Sequence, residues 1–491
     1  MTMHQNQPPD LQTMAMRAMI HAGFSPDIPA PAREQIADLG DVMARETADP
    51  HIRDLRDLLW SSIDNDDTRD LDQIEFAERL PDGTIRLLVA IADVDAYVPK
   101  GSPIDLFAAR NGTSVYTGVI TFPMLPEELS TGLTSLQADA DRLAMVIEMI
   151  LAGDGAIVRS DVYRAIVRNR VQLAYESLGP WLEGTGPIPE TIPAIDGLEE
   201  QLRLQEDAAE KLRAVRRRAG ALNFETIEAR PVSVNGHVTE LAVTESNQAR
   251  DIIESFMVAS NSTIASFLDS AGIPSIRRVL EPPYRWDRIA EIAARLGDSL
   301  PPQPDAHALA AFLDKRKQID PIRFPDLSLA VVKLLGAGVY TVEGPEDTTP
   351  DHFSLALQDY THSTAPNRRY IDLVIQRLLK SVTEGRPSPY GIDEMRGIAE
   401  HASRRASEAR QVERYMRKAV AAMFLSEHIG EHYQAIVTGV SPKGTFARLV
   451  APPAEGRIVS GEEGLDVGDR IGVRLAATDP ERGFIDFERL K

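Results

Sequence analysis

The sequence predicts an α+β protein with a large mixed α/β lobe, a small C-terminal β-barrel and a short helical N-terminal module. At roughly 150 residues per domain, its 491 residues correspond to about three domains. Strand-like and helix-like runs alternate over residues 53–428, whereas residues 429–491 contain only short β-rich runs. Hydrophobic residues make up 43% and charged residues 26% of the chain, a balance that favours a folded globular protein.

Residues 1–52 predict the helical module. Pro29, Pro31 and Pro50 divide this stretch into short pieces. The step Ala30–Pro31 can start a helix through Leu39, because proline is tolerated in a first helical turn. We expect no larger folded unit before residue 53.

The large lobe, residues 53–428, begins with a predicted hairpin. A turn at Pro81-Asp82-Gly83 joins the runs IEFAERL and TIRLLVAIADV, which favours two antiparallel strands, the second of them buried. Ile392 to about His428 predicts one long helix or two packed helices, since apolar and alanine residues recur there at helical spacing. Gly, Pro and Asp turns then separate the strands expected of the closed barrel at 429–491.

Composition narrows the chemistry. The chain has no cysteine, which excludes disulfides, thiolate nucleophiles and cysteine-bound metals, so oxygen and imidazole are the remaining metal ligands. The N-terminus shows no secretory pattern. The most apolar window, Leu143 to Leu151, is too short to cross a bilayer. We therefore expect a cytoplasmic protein without a membrane partner, and nothing in the sequence identifies a protein partner.

Charge is unevenly distributed along the chain. The net charge of −21 argues against a protein that simply coats DNA. However, residues 364–418 hold 12 Lys and Arg against 7 Asp and Glu, a local surplus of five positive charges. A nucleic-acid enzyme with segregated charge is therefore compatible with the composition.

The segment SSIDNDDTRDLDQIE carries the densest cluster of carboxylates. Three interpretations remain open at this point: a solvated acidic loop, a calcium loop of EF-hand type, and a Mg²⁺ site for phosphoryl chemistry. The EF-hand interpretation fits the ligand spacing from Asp64 to Glu75, but Arg69 stands where that loop needs glycine. The Mg²⁺ interpretation places Asp70 and Asp72 on one side of a strand and needs a cation such as Arg368 for the charge on phosphorus.

These residues resemble the ribonuclease II or RNB family of 3′-to-5′ exoribonucleases. The family's metal motif is Ile-Asp, five residues, then Asp-x-Asp-Asp, and this chain matches it from Ile63 to Asp72, with Gln73 at the last position. Further matching segments follow in the same order: IADVDAYVPKGSPID, SVYTGVITFPMLPEELSTGLTSL and YTHSTAPNRRYIDLVIQRLL. The resemblance implies an RNB catalytic domain at 53–428 and an S1-type OB-fold at 429–491.

The resemblance also implies roles for individual residues. Asp64, Asp70, Asp72 and Gln73 are expected to hold Mg²⁺, with Arg368 on the scissile phosphate. Tyr116 and Phe224 are expected to clamp the 3′-terminal base, and Tyr175 and Glu254 to distinguish RNA from DNA near the 2′-hydroxyl. The remaining residues expected to contact RNA are Arg369, Arg377 and Glu413. In the barrel, Lys443, Arg448, Arg470 and Arg474 are candidates for following the phosphates.

The implied activity is Mg²⁺-dependent hydrolysis of single-stranded RNA from the 3′ end to nucleoside 5′-monophosphates, in RNA degradation. The chain departs from the family at Gln73, which removes one negative charge from the expected ion site, and in its N-terminal module, which is too short for the two cold-shock domains of bacterial relatives. Two alternatives therefore stand. One is a catalytically silent RNA-binding regulator, and the other is a phosphodiesterase acting on small nucleotides.

Overall fold

The computed structural model describes residues 10–225, 228–234, 237–244, 246–344, 347, 350–442 and 444–490; at 228–234, 237–240 and 242–244 it describes the backbone alone. Its N-terminal helices are α1 (Leu11–His21), α2 (Ala30–Ala37) and α3 (Val42–Glu46). Helix α2 begins at the predicted residue, with proline in its first turn, and ends two residues before Leu39. Met14 and Met19 of α1 belong to an apolar cluster shared with the C-terminal barrel, so α1 is joined to the far end of the chain.

A six-stranded sheet forms the centre of the large lobe. The first strands of the chain are β1 (Arg53–Asp54), β2 (Trp60–Asp64), β3 (Gln73–Arg79), β4 (Ile85–Ala92), β5 (Val115–Tyr116), β6 (Thr121–Phe122), β7 (Asp141–Leu151) and β8 (Ile157–Ala174). In the sheet the order is β1-β8-β2-β3-β4-β7. The long strand β8 pairs with its neighbours β1 and β2 and also with β7, the last strand of this order. Strands β3 and β4 pair antiparallel from Gln73↔Ile91 to Arg79↔Ile85, which confirms the predicted hairpin. Strands β5 and β6 lie outside this sheet and pair with each other.

Helices cover this sheet and extend the lobe. They are α4 (Pro103–Asn111), α5 (Tyr175–Leu182), α6 (Leu198–Arg218), α7 (Gln248–Ser270), α8 (Trp286–Arg295), α9 (Ala306–Ile319), α10 (Phe324–Leu335), α11 (Tyr370–Thr383) and α12 (Ile392–Leu425). The segment predicted as one helix or two is the single helix α12. Two small antiparallel sheets lie among the helices, formed by β9 (Glu228–Val234) with β10 (His237–Thr244) and by β11 (Ser275–Val279) with β12 (Val339–Glu343). Across the described residues, no helix is both long and apolar enough to span a lipid bilayer.

The C-terminal strands close into a barrel, as the sequence predicts. They are β13 (His432–Ser441), β14 (Gly444–Leu449), β15 (Glu455–Ser460), β16 (Arg470–Asp479) and β17 (Phe484–Arg489), in the order β13-β14-β15-β17-β16 with β13 pairing back to β16. Burial alternates along β14 and β16, so every second side chain fills the barrel interior.

The structure contradicts the expectation that Arg377, on α11, contacts RNA, because this side chain is buried. Its side chain is only 2% exposed. The guanidinium donates to Asp95 Oδ1 at 2.8 Å, to the Tyr390 hydroxyl at 2.7 Å and to the Val98 carbonyl at 2.6 Å, and it lies 2.8 Å from Asp105 Oδ1. With its donors occupied inside the protein, Arg377 ties α11 to the segment after β4 and has a structural role.

We predict that Arg377→Leu destabilises the fold by about 3–5 kcal/mol, because it leaves the buried carboxylate of Asp105 without its cation and removes one of the two cations that face Asp95, the other being Lys380. Thermal unfolding should show a melting temperature lower by several degrees. Arg386→Leu is the control, since Arg386 is 62% exposed and lies just beyond the same helix. Weaker RNA binding with unchanged thermal stability would restore the original assignment of Arg377.

Candidate active site

The aspartates of the sequence cluster lie where β2 ends and β3 begins. Ser61 pairs with Glu75 in antiparallel register, so Asp64 and Asp72 lie at the same end of the two strands. Asp64 Oδ1 accepts hydrogen bonds from the Asn65 amide at 2.7 Å and from Thr68 Oγ1 at 2.9 Å. These bonds fold the intervening loop back on itself, and the loop returns Asp70 and Asp72 towards Asp64.

Asp72 forms an ion pair with Arg368 at the bottom of this arrangement. Asp72 is 1% exposed, and its Oδ2 accepts from Arg368 Nε at 3.0 Å while its Oδ1 accepts from the Asn367 amide at 3.0 Å. Burial raises the pKa of Asp72 to about 7, with the charge of Asp70 adding to the rise and that of Arg368 opposing it. The Arg368 side chain is itself 46% exposed, so a buried carboxylate holds a guanidinium that reaches solvent.

Tyr116 connects Asp70 to Glu413. The Tyr116 hydroxyl donates to Asp70 Oδ2 at 3.2 Å, and the Tyr116 amide donates to Glu413 Oε1 at 3.1 Å. Burial raises the pKa of Asp70, although Arg368 and the bond from Tyr116 both oppose that rise. Because the Tyr116 residue is still 41% exposed, its ring can offer a face to a ligand. Tyr116, Asp70, Arg368 and Glu413 are therefore gathered in one place.

Tyr175 lies on the other side of the aspartate loop. It begins α5 directly after the end of β8, where Ala174 pairs with Asp64. Arg250 of α7 lies 4.2 Å from the centre of the Tyr175 ring and donates to Asn65 Oδ1 at 3.1 Å. Glu254, one turn further along α7, has a 64% exposed side chain that lies 3.4 Å from Arg216.

Phe224 and Arg369 are also expected to contact RNA, and both have partners inside the protein. Phe224 packs against the apolar cluster of α8, α9 and α10. No contact between Phe224 and Tyr116 is found in the described structure, so the clamp formed by this pair stays a prediction. Arg369 donates to both carboxylate oxygens of Asp372, at 2.9 and 2.7 Å, and so holds the first turn of α11.

Two of the barrel residues expected to contact phosphates are paired with carboxylates of the protein. Arg448 Nη2 donates to Asp326 Oδ1 at 2.7 Å, a bond that fastens the barrel to α10. Arg474 donates to Glu488 on the neighbouring strand at 2.6 Å. Lys443 lies outside the described residues.

The sequence suggests Glu75 only as a calcium ligand and does not predict that it is a buried carboxyl group near the site. Glu75 is fully buried, and neither of its carboxylate oxygens has a hydrogen-bond partner among the described residues. Burial raises its pKa well above the ordinary value, and the charge of Asp64 adds to this effect. The alternation Gln73-Ile74-Glu75 at the start of β3 was the available signal, because it places two polar side chains on one face of the strand.

The donor set suits a hard cation. Asp64 accepts hydrogen bonds through Oδ1 and Asp70 accepts the Tyr116 hydroxyl through Oδ2, so both carboxylates have lone pairs left for a cation. Burial raises the pKa of Asp70 and of Asp72, and a bound cation would favour their charged forms. Within the same described ranges, no three His, Asp or Glu side chains are gathered closely enough to hold a metal ion alone. This arrangement fits Mg²⁺, which is commonly bound through one or two carboxylates together with waters and substrate phosphates.

Comparison with known proteins identifies the family of the chain. Residues 52–385 match the RNB domain model, and residues 431–490 match the RNase II-type exonuclease C-terminal S1 domain. The chain belongs to the RNB family. It is 32% identical to ribonuclease R of Thermotoga maritima over 89% of its own length and spans 64% of that relative, less than two thirds.

Solved structures share the fold. The Mycoplasma genitalium RNase R in complex with ribose-methylated single-stranded RNA superposes with a TM-score of 0.88 at 23% identity, covering 98% of this chain and 78% of that chain. Yeast Ssd1, described as a pseudonuclease, superposes with a TM-score of 0.71 at 17% identity, covering 92% of this chain and 56% of that chain. At these identities the likeness shows the RNB fold with its C-terminal barrel, which confirms the fold class predicted from the sequence.

We predict that Glu75→Gln stabilises the metal-free protein increasingly as pH rises. Between pH 4.5, the ordinary value for Glu, and the raised pKa of folded Glu75, the unfolded state has released a proton that the folded state keeps. Rising pH therefore favours unfolding of the wild type, by up to about 1.4 kcal/mol per pH unit. Gln has no such proton to release.

The measurement is the melting temperature in EDTA. The variant's advantage over wild type should be larger at pH 8 than at pH 6. Glu78→Gln, on the same strand with a 40% exposed side chain, is the control. An advantage that is absent or independent of pH would show that Glu75 is compensated in the folded state.

Proposed function

We propose that this protein is a Mg²⁺-dependent 3′-to-5′ exoribonuclease that hydrolyses single-stranded RNA to nucleoside 5′-monophosphates, in cytoplasmic RNA degradation. The observation that carries the proposal is the ion pair of Asp72 and Arg368 beside Asp64 and Asp70. It places a partly exposed guanidinium opposite carboxylate oxygens that still have accepting capacity, which are the two components that phosphoryl transfer requires.

Arg368 would receive the scissile phosphate. Its Nε donates to Asp72, and 46% of its side chain is exposed, which leaves the guanidinium accessible to a phosphate. Burial opposes the charge on Arg368, but the neighbouring carboxylates and above all Asp72 raise its pKa, so the guanidinium stays charged. A fixed guanidinium stabilises the negative charge that develops on the phosphorus oxygens without having to reorganise during the reaction.

Asp64, Asp70 and Asp72 are our candidates for the protein's oxygen ligands for the metal, with the Gln73 amide oxygen as a neutral fourth. Because no three of the described His, Asp and Glu side chains are gathered around one point, one or two of these carboxylates would hold the ion together with waters and the substrate phosphate. When bound, Mg²⁺ would supply an activated water and stabilise the leaving oxygen. The Tyr116 hydroxyl holds Asp70 through its Oδ2, and the carboxylate keeps lone pairs for a cation.

Tyr116 and Glu413 would receive the last nucleotide. The Tyr116 ring is 41% exposed beside the reacting phosphate position, and an aromatic face stacks on any base, which suits degradation without sequence preference. Glu413 fixes the backbone of Tyr116 through the Tyr116 amide. Tyr175 and Glu254 remain our candidates for recognising the 2′-hydroxyl, together with Arg369 as a contact to the RNA and Phe224 as the second stacking ring.

The main alternative is an RNB-fold RNA-binding regulator without catalysis, on account of Gln73. The likeness to the pseudonuclease Ssd1 means that the fold alone does not separate the two functions. The ion pair of Asp72 and Arg368 favours the enzyme, because a buried carboxylate with a pKa near 7 is costly to keep where no chemistry depends on it.

We predict that the purified protein shortens 5′-labelled single-stranded RNA stepwise in Mg²⁺, that EDTA abolishes the reaction, and that Asp72→Asn lowers kcat at least about 10²-fold. Electrophoresis follows the ladder, and chromatography of 3′-labelled RNA identifies the mononucleotide. Asp82→Asn, in the exposed hairpin turn, is the matched control and should retain full activity. Full-length RNA that persists with wild type, or equal rates for wild type and Asp72→Asn, would refute the proposal.

We also predict that Gln73→Asp lowers the Mg²⁺ concentration required for half-maximal activity, because a carboxylate replaces a neutral amide oxygen at a buried ion site. Rates measured across a Mg²⁺ titration provide the test. Activity that appears only in the Gln73→Asp variant would instead support the regulator.

A further inference from the structure

Two consecutive arginines on β11 have opposite environments. Arg277 is 2% exposed on its side chain, donates to Glu343 Oε2 at 2.9 Å and lies 3.7 Å from Asp269 Oδ1, so its charge is compensated. Arg278 projects to the other face of the strand. Each of the two arginines buries an Nη1 that has no hydrogen-bond partner among the described residues. The difference is the ion pairs of Arg277, because Arg278 forms none in the described part of the chain.

The Arg278 guanidinium is held in place by packing. It lies 4.7 Å from the centre of the Tyr340 ring, across the β11–β12 pair. Its other neighbour is Gly338, where an added Cβ would approach the guanidinium carbon and two of its nitrogens to 3.1 Å. A glycine and an aromatic face therefore define the position of a cation that lacks an anion.

The surroundings of Arg278 are themselves positive. Burial lowers its pKa, and the charges of Arg410 and Arg369 lower it further despite the opposing effect of Tyr340. Arg369 is already neutralised by Asp372, but Arg410, exposed on α12, forms no ion pair with any described residue. Ser403 on the same helix accepts from the Tyr340 amide at 2.8 Å, which brings this face of α12 against β12.

Two histidines connect this group to the active site without adding charge. His362 Nδ1 bonds the Tyr340 hydroxyl at 2.7 Å, and burial lowers its pKa well below the usual value, with the charges of Arg369, Arg278 and Arg368 contributing. Burial and the charge of Arg278 lower the pKa of His352 to about 4. Both rings are neutral at pH 7. His362 therefore lies within reach of the electrostatic field of both Arg278 and the catalytic Arg368.

We propose that Arg278 and Arg410 form a second phosphate-binding position, which holds a phosphodiester of the RNA strand on the 5′ side of the scissile bond. The inference rests on the proposed function, since an enzyme that removes one nucleotide at a time has only that nucleotide 3′ of the scissile phosphate. Any further phosphate it binds must belong to the 5′ side. A fixed guanidinium that no described carboxylate neutralises is suited to a phosphodiester, which would supply the anion that this part of the protein does not provide.

The test uses the full-length protein in EDTA, so that RNA binds without being cleaved. Binding of 5′-fluorescent oligouridylate is followed by anisotropy across a salt series for wild type, Arg278→Gln, Arg278→Lys, Arg410→Gln and the exposed control Arg285→Gln. We expect Arg278→Gln and Arg410→Gln each to weaken binding about tenfold and to reduce the slope of log affinity against log salt by about 0.7. Arg278→Lys should be intermediate, and Arg285→Gln should match wild type.

Position is tested by replacing one phosphodiester at a time with an uncharged methylphosphonate. In wild type, one linkage on the 5′ side should show the largest loss of affinity, and in Arg278→Gln that loss should disappear while the other linkages respond as before. Unchanged affinity and salt slope in both Gln variants, or the same methylphosphonate pattern in wild type and Arg278→Gln, would overturn the inference. If Arg278→Gln does not fold, the affinity and salt slope of the Arg410→Gln variant decide the test alone. Wild type that binds no RNA would refute the proposed function itself.

Discussion

The ion pair of Asp72 and Arg368 is the interaction on which the arrangement of the site depends. Its partners lie 296 residues apart, at the start of β3 and just before α11. The same Arg368 accepts, at its backbone carbonyl, the Ser114 amide at 2.9 Å and Thr113 Oγ1 at 3.0 Å. One residue thus fixes the aspartate loop through its side chain and the strand that carries Tyr116 through its backbone.

This pair is poorly explained by stability alone. Asp72 is fully desolvated, its pKa is raised to about 7, and Arg368 compensates only part of that cost because its own side chain is half exposed to water. A well-packed apolar pair of similar volume would commonly be as stable or more so. The contrast with Arg377 is informative, because Arg377 is enclosed by two carboxylates, a hydroxyl and a carbonyl and its guanidinium has nothing left to offer a ligand.

Local sequence patterns predicted the elements whose signals are local. The β3–β4 hairpin, the helical character of residues 392–425 and the closed barrel follow from turn residues, helical spacing and alternation, and the aspartate cluster follows from spacing within nine residues. The spacing leaves open whether that helical segment is one helix or two. The sequence could not show which arginines have their charge compensated by a distant carboxylate. The partner of Arg369 is local, since Asp372 lies three residues further on. Arg277, Arg278 and Arg377 look alike in the chain, and only distant partners such as Glu343 and Asp95 separate the compensated ones from Arg278. The burial of Glu75 was missed for a similar reason, since it depends on the strands on either side of β3.

The charges around Gln73 give a physical reason for an amide rather than a carboxylate at this position. Gln73 is 4% exposed, directly after Asp72 and on the same strand face as the unpartnered Glu75. A carboxylate there would be a further negative charge in a place where Asp72 and Glu75 already have raised pKa values, so the metal-free protein would be held less stably or would take up another proton. The amide keeps an oxygen that can coordinate a cation without adding that repulsion. Under the proposed function, the cost would be a weaker hold on Mg²⁺ in the absence of RNA, and the phosphate of a bound strand would supply a further ligand to the ion. Cation binding and RNA binding would then support each other, with the exposed guanidinium of Arg368 as the fixed group beside both.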